Sequence, residues 1–308
     1  MYSSRMDVST KDYLFETEEH RALREQIRRF ATSAIAPNAH AWEEANEFPR
    51  ELYPQAAEAG FLGVGYPEEL GGNGGDLTHV LVASEEMVLA GKSVGTVVGL
   101  GSLGIAIPPI LKFGSDEQKE RFARPALAGE KISALGITEP GGGSDVAAVR
   151  TKAVRDGDHY IVNGSKTFIT SGCRADFVTA AVRTGGEGHG GISMLVIERD
   201  TPGFSVSSKL KKTGWWASDT AELAFEDCRV PVGNLIGQEG AGFLMIMMNY
   251  VTERLFIAGQ CVANAELAYR EAVAYSKERH AFGKNLAGFQ VIRHKLADMA
   301  TQIAAARA

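Results

Sequence analysis

Residues 160–170 read Tyr-Ile-Val-Asn-Gly-Ser-Lys-Thr-Phe-Ile-Thr, the strongest local signal in the chain. Two runs rich in β-branched and aromatic residues flank Asn163-Gly164, a pair that supplies the positive φ angles of a two-residue hairpin turn. The stretch is therefore expected to be a β-hairpin. Around it, from about Lys131 to Val232, short strand-like runs are separated by Gly, Asp and Asn: Ile192 to Ile197, Phe204 to Ser207 and Ala221 to Phe225. This pattern predicts a small antiparallel barrel or sandwich.

Outward from this region both flanks are helical. On the N-terminal side, Glu16 to Phe30 carries Leu23, Ile27 and Phe30 at helical spacing, with Pro37 beyond its end. Leu52 to Ala59 stops at Gly60, and Leu77 to Ala90 stops at Gly91. Ser115 to Arg124 opens on a cap-like Ser-Asp-Glu. On the C-terminal side, Gly242 to Arg279 contains no Pro and reads as one long helix. After a loop over Gly283 to Gly288, Phe289, Ile292, Leu296, Met299 and Ile303 form an amphipathic stripe. The expected fold class is α+β multidomain: an N-terminal all-α domain over 1–130, a middle β-barrel or sandwich domain over 131–232, and an incomplete C-terminal helical bundle over 233–308. Two long helices make half a bundle, so either another chain supplies the partner or the sequence is cut short.

Composition removes several function classes. The 308 residues carry a net charge of -6 and no clustered basic face, which excludes a nucleic-acid partner. The longest largely apolar run, Phe243 to Val251, is too short for a membrane span. Met1 to Asp12 reads as neither a signal nor a transit peptide. Cys173, Cys228 and Cys261 have no metal or disulfide spacing and read as reduced core thiols of an intracellular protein. The seven histidines do not cluster in sequence. Trp215 and Trp216 read as core or interface residues.

The chemistry lies in a set of ordered blocks. Leu135-Gly136-Ile137-Thr138-Glu139-Pro140-Gly141-Gly142-Gly143-Ser144-Asp145 joins a short strand to a glycine-rich turn whose bare N–H groups suit an anion or a carbonyl. By composition alone such a turn is equally well a plain surface loop. After it come Asn163 to Thr170, then Ser218-Asp219-Thr220 and Phe225 to Pro231. Gly240-Ala241-Gly242-Phe243, Glu253-Arg254 and Glu278 to Lys284 complete the order, and Pro67 to Gly72 stands upstream. Each block is weakly specific; together they resemble the acyl-CoA dehydrogenase family along the whole chain. Gly99 to Gly104 fits the dinucleotide pattern G-x-G-x-x-G, but Pro108 and Pro109 interrupt the helix that must follow. These small residues are read instead as letting an acyl chain or a neighbouring helix approach closely.

The resemblance implies FAD as cofactor, an acyl-CoA thioester as substrate, the trans-2-enoyl-CoA as product and an electron-transfer flavoprotein as acceptor. By motif position Leu135, Ile137, Thr138, Gly143, Ser144, Phe168, Ile169 and Thr170 would hold the flavin, with Phe168 against the ring. Arg279, Phe282 and Gln290 match positions that contact the FAD of a neighbouring subunit in a homodimer or homotetramer. Glu253, in Thr252-Glu253-Arg254-Leu255-Phe256-Ile257-Ala258, matches the base of the isovaleryl and long-chain type. Ser144, Tyr250, Val251 and Arg254 match substrate contacts. A lone helical Glu is ordinarily a solvated charge, but with Tyr250 and Ile257 on its face Glu253 is expected to be desolvated and its pKa raised. The resemblance places the protein in the bacterial cytoplasm, or in the mitochondrial matrix of a eukaryote. Two alternatives stay open: an oxygen-using acyl-CoA oxidase-like enzyme, and a truncated non-catalytic binding module. A nitroalkane oxidase relative is disfavoured, because that group uses an Asp base. No residue decides tail length, so branched, long-chain and terpenoid acyl groups all fit.

Overall fold

The computed structural model describes Tyr13 and residues 15–308; the expectation for Met1 to Asp12 lies outside them. The N-terminal region is helical throughout: α1 (Glu18–Phe30), continued by a π turn over Ala31–Ile35, α2 (Ala39–Ala45), α3 (Leu52–Glu58), α4 (Leu77–Gly91), α5 (Val94–Leu100), α6 (Leu103–Ala106), α7 (Pro108–Phe113), α8 (Asp116–Gln118) and α9 (Arg124–Leu127). Local chemistry sets the ends. Asp76 caps α4 by accepting from the N–H groups of Thr78 and His79, and Ser93 and Ser115 cap α5 and α8. Pro108 and Pro109 open α7 in the first turn, where a missing N–H costs nothing. The G-x-G-x-x-G stretch therefore runs from one helix into the next and follows no strand.

The middle region forms an eight-stranded sheet of β1 (Ser133–Gly136), β2 (Lys152–Asp156), β3 (His159–Thr170), β4 (Phe177–Arg183), β5 (Ile192–Glu198), β6 (Phe204–Lys209), β7 (Thr220–Pro231) and β8 (Leu235–Ile236). The order is β6-β7-β3-β2-β4-β5-β8, with β1 on the side of β4. Strands β6 and β8 do not pair, so the sheet stays open. Most pairs are antiparallel, but β1 and β2 both run parallel to β4. The β2–β4 link is a single register pair, Lys152 with Arg183. The two halves fold over this link onto one core that contains Tyr160, Val162, Val182, Leu195, Leu223 and Phe225. The other face of β4 and β5, with Phe177, Ala181, Met194 and Val196, joins the helical core.

The expected hairpin at Asn163-Gly164 does not form. Strand β3 runs straight through it, with a register shift between Val162 and Gly164. The tight turn falls one segment earlier, where Asp156 pairs with His159 across Gly157-Asp158 and Gly157 takes φ +62°. Asn163 instead holds a bulge: its amide donates to Asp227 Oδ1 at 2.9 Å, and its Oδ1 accepts from the Asp227 N–H at 2.9 Å. Gly164 has φ +150°, and a Cβ there would lie 2.6 Å from Thr151 Oγ1.

The C-terminal region is α10 (Gly242–Glu278) and α11 (Gln290–Arg307), joined through the short pair β9 (His280–Ala281) and β10 (Lys284–Asn285). Charges tie α1, α4, α10 and α11 together. Arg24 bonds Glu16 at 2.5 Å and Glu85 at 2.7 Å, and Arg307 bridges Glu85 and Glu266. Of the α11 stripe Ile303 is buried and Met299 exposed. Two other expectations change. Only Cys228 is a core thiol, since Cys173 is half-buried and Cys261 exposed. Trp215 and Trp216, 47% and 40% exposed, lie outside the core, which leaves the interface half of their reading. Among the described residues no single helix is long and apolar enough to cross a membrane. The bent pair Val94–Leu100 with Leu103–Phe113 passes on length and composition, and Val97, Leu100, Leu103, Ile107 and Ile110 of it are buried in the core.

The bulge makes a direct prediction. Gly164→Ala is expected to destabilise the protein by about 1–3 kcal/mol, because the added methyl overpacks against Thr151. Urea unfolding midpoints of the variant and the parent chain check this.

Candidate active site

Helix α10 carries Glu253 near its middle. The carboxylate is half-buried, and its Oε2 is enclosed with no hydrogen-bond partner among the described residues. Burial pushes its pKa above the ordinary range, and Arg254 next to it opposes the rise only in part. The Tyr250 phenol, one turn earlier, is raised too, first by burial and then by the charge of Glu253. An unpaired, desolvated carboxylate binds a proton more readily than an exposed one, which is what a base at neutral pH requires.

Glu253 borders a cavity of about 420 Å3. From α10 the wall takes Met248, Asn249, Thr252, Glu253 and Phe256; the N-terminal region adds chiefly apolar groups, among them Tyr66, Leu77, Ile105 and Leu111. Tyr250, Val251 and Arg254, read as substrate contacts, are not part of this wall. Val251 is 68% exposed, and the Arg254 guanidinium sits 5.6 Å from the centre of the Tyr250 ring. The small residues Gly101 and Gly104 line the cavity, in keeping with close approach of an acyl chain or a neighbouring helix.

The cavity wall is pinned from two sides at α6. In a continuous helix the Ile105 carbonyl would accept from residue 109, but Pro109 has no N–H. Asn249 Nδ2 donates to that carbonyl at 3.0 Å. The next carbonyl, of Ala106, accepts from Thr179 Oγ1 at 2.8 Å. Thr179 lies in β4, in register with Leu135 of β1. Asn249 precedes Glu253 by one helical turn. A short path of hydrogen bonds and pairing thus joins the strand before the glycine-rich turn to the turn of α10 that bears Glu253.

The glycine-rich turn has its own anchor. Glu139 and Gly142 exchange backbone hydrogen bonds at 3.0 Å, and Gly141 and Gly142 have open space where a side chain would stand. Behind it Lys166, fully buried, donates to the Ile137 carbonyl at 3.1 Å and to Glu139 Oε1 at 2.9 Å. Glu139 also accepts from the N–H groups of Arg150 and Thr151 and from the Thr151 hydroxyl. Burial pushes the Glu139 carboxyl up, but Lys166 and these donors outweigh it and hold it below its ordinary range. Burial pulls the Lys166 ammonium down to about 8. The Thr167 N–H donates to the Thr138 carbonyl at 2.9 Å, tying the turn to β3.

The next residue along the chain is the most exposed aromatic of that strand. Phe168 is 68% exposed and has φ +60°, at a second register shift of β3. A non-glycine residue in the left-handed region carries strain, and strained backbone concentrates at functional sites. Leu135, Thr138, Gly143 and Thr170 are partly exposed, and Ser144 is exposed. Ile137 and Ile169 are buried, 5% and 2% exposed, so they back this surface from within.

The C-terminal candidates point to solvent. Arg279 and Gln290 are exposed, and Phe282 is 95% exposed with φ +52°. The histidine expectation needs correcting: His20 and His79 stack with ring centres 4.0 Å apart beside Asp76. Their nitrogens already serve helix caps. His20 Nδ1 accepts from the Thr17 N–H at 3.1 Å, His20 Nε2 lies 2.9 Å from Thr78 Oγ1, and His79 Nδ1 lies 2.8 Å from Asp76 Oδ1. The cluster closes two helix starts.

Comparison with known proteins agrees along the whole chain. Residues 17–130, 134–228 and 240–308 match the acyl-CoA dehydrogenase N-terminal, middle and C-terminal domain models in turn. The chain is 41% identical over 295 residues to the long-chain specific acyl-CoA dehydrogenase of Sus scrofa mitochondria, covering 95% of this chain and 68% of that protein. A probable acyl-CoA dehydrogenase of Mycobacterium abscessus superposes with a TM-score of 0.92 at 54% identity, covering 94% of this chain and 77% of that one. A glutaryl-CoA dehydrogenase of Mycobacterium smegmatis, solved in complex with FADH2, gives 0.87 at 28% identity, covering 95% and 74%. The chain belongs to the acyl-CoA dehydrogenase family of oxidoreductases.

Proposed function

We propose that this protein uses FAD to convert an acyl-CoA thioester to its trans-2-enoyl-CoA, with Glu253 as the base. The observation that carries the reading is the Glu253 carboxylate in the wall of an apolar cavity, with its Oε2 enclosed and without a hydrogen-bond partner among the described residues. A fatty acyl tail matches that wall, and Glu253 stands where it can take the α-proton of the thioester. An apolar tail in the cavity excludes water from the carboxylate and raises its basicity further.

FAD, when bound, supplies the acceptor for the β-hydride. The residues present fit that group: the turn at Gly141 and Gly142 offers backbone without side chains, and Phe168 offers an exposed ring in a strained conformation. Leu135, Thr138, Gly143, Ser144, Phe168 and Thr170 would hold it in this chain, with Ile137 and Ile169 buried behind them. Arg279, Phe282 and Gln290, exposed on this chain, would reach the FAD of a second copy in a dimer or tetramer. Arg279 suits a pyrophosphate, because a guanidinium pairs with it in a forked geometry. Ser144, Tyr250, Val251 and Arg254 would contact the substrate outside the cavity wall. The family resemblance supports an electron-transfer flavoprotein as acceptor and a cytoplasmic or matrix location.

The test is anaerobic mixing of the flavin-loaded protein with acyl-CoA. The flavin absorbance is expected to bleach, and Glu253→Gln is expected to slow bleaching by about 10²–10⁴-fold; full-rate bleaching by that variant refutes the assignment. Because the ionised form is the base and burial raises its pKa, kcat/KM should fall with decreasing pH through a limb that lies above the ordinary Glu range. Glu139→Leu strands a buried ammonium at Lys166, so it should cost about 3–5 kcal/mol of stability and lower flavin retention. Calorimetry and the ratio of flavin to protein absorbance read the two effects.

A further inference from the structure

The cavity beside Glu253 has a partition at one side. Beyond it lies a second apolar compartment of about 50 Å3, several times the space that one water-sized group needs. Phe61, Leu62, Val64, Ala83 and Leu103 line only this compartment. Five residues line both spaces: Tyr66, Val80, Gly101, Gly104 and Phe256. Glu253 borders the larger space alone. The shared residues are therefore the partition, and the compartment lies on the side away from the carboxylate.

Two of the five are aromatic rings set against glycines. A Cβ on Gly101 would come 3.6 Å from Phe256 Cζ, and one on Gly104 would come 3.7 Å from the Tyr66 hydroxyl. Phe256 follows Glu253 by three residues on α10, so the two share a helix face. The ring is thereby held at a fixed offset from the base. A tail whose α-carbon sits at Glu253 meets this ring before it can enter the second compartment.

We propose that Phe256, seated on Gly101, ends the acyl tunnel and sets the longest tail the protein accepts. The proposal rests on the acyl-CoA reading above and supplies the limit that the sequence left open. Each methylene buried in the cavity strengthens binding about fourfold, until the tail meets the ring and the gain stops. Removing the ring joins the two spaces and lets the gain resume.

The experiment measures dissociation constants of straight-chain acyl-CoAs of increasing length by calorimetry, with the flavin-loaded protein and its variants. The parent chain is expected to show a rise of about fourfold per methylene that breaks at one length. Phe256→Ala should move the break by about two methylenes, and Phe256→Leu by less. Ala83→Leu added to Phe256→Ala refills the compartment and should move the break back. A break that stays put in a folded Phe256→Ala or Phe256→Leu protein overturns the proposal. If no acyl-CoA of any length binds to the parent chain, the acyl-CoA reading itself falls.

Discussion

The arrangement turns on two carbonyl groups at the end of α6. Pro109 deprives the Ile105 carbonyl of its helical partner, and the Asn249 amide replaces it. The Thr179 hydroxyl serves the adjacent Ala106 carbonyl from the sheet. A buried carbonyl without a donor costs about 1–3 kcal/mol, so this point favours one placement of α6 between α10 and β4. The same bonds fix the helix that bears Glu253 relative to the strand that leads into the glycine-rich turn. The proposed base and the proposed cofactor surface belong to different regions of the chain, and this contact relates them.

The electrostatics of the two charged sites run in opposite senses. At Glu139 and Lys166 the burial of charge is offset by a dense set of donors, which keeps the carboxylate ionised and the turn rigid. At Glu253 burial meets no such set of donors, and one oxygen has no partner among the described residues. The first pattern builds a scaffold. The second leaves a carboxylate that gains by taking a proton, and the charge of its neighbour Arg254 restrains the shift only in part. The contrast supports the role proposed for Glu253.

Much of this was legible in the sequence. The helical stripes of α1, α4, α10 and α11, the caps at Ser115 and the ordered motif blocks fixed the three regions and drew attention to Glu253. The errors have physical causes. Asn163-Gly164 has the composition of a turn, but the partner that makes it a bulge is Asp227, which lies 64 residues away. Tyr66, Asn249 and Phe256 were not singled out, because a cavity wall is assembled from distant helices and carries no local motif. Asn249 left one trace: a polar residue within the apolar run Phe243 to Val251. The pairing of His20 with His79 was invisible for the same reason of distance.

The central claim is that Glu253 removes the α-proton. It is tested most directly by proton exchange in D2O, using the flavin-loaded protein and a thioester that has α-hydrogens but no β-hydrogen. No hydride can leave such a compound, so the measurement isolates the base. The parent protein should incorporate deuterium at the α-carbon at a rate that falls as the Glu253 carboxylate is protonated, and Glu253→Gln should abolish the exchange. Undiminished exchange in Glu253→Gln would contradict the account and place the base elsewhere.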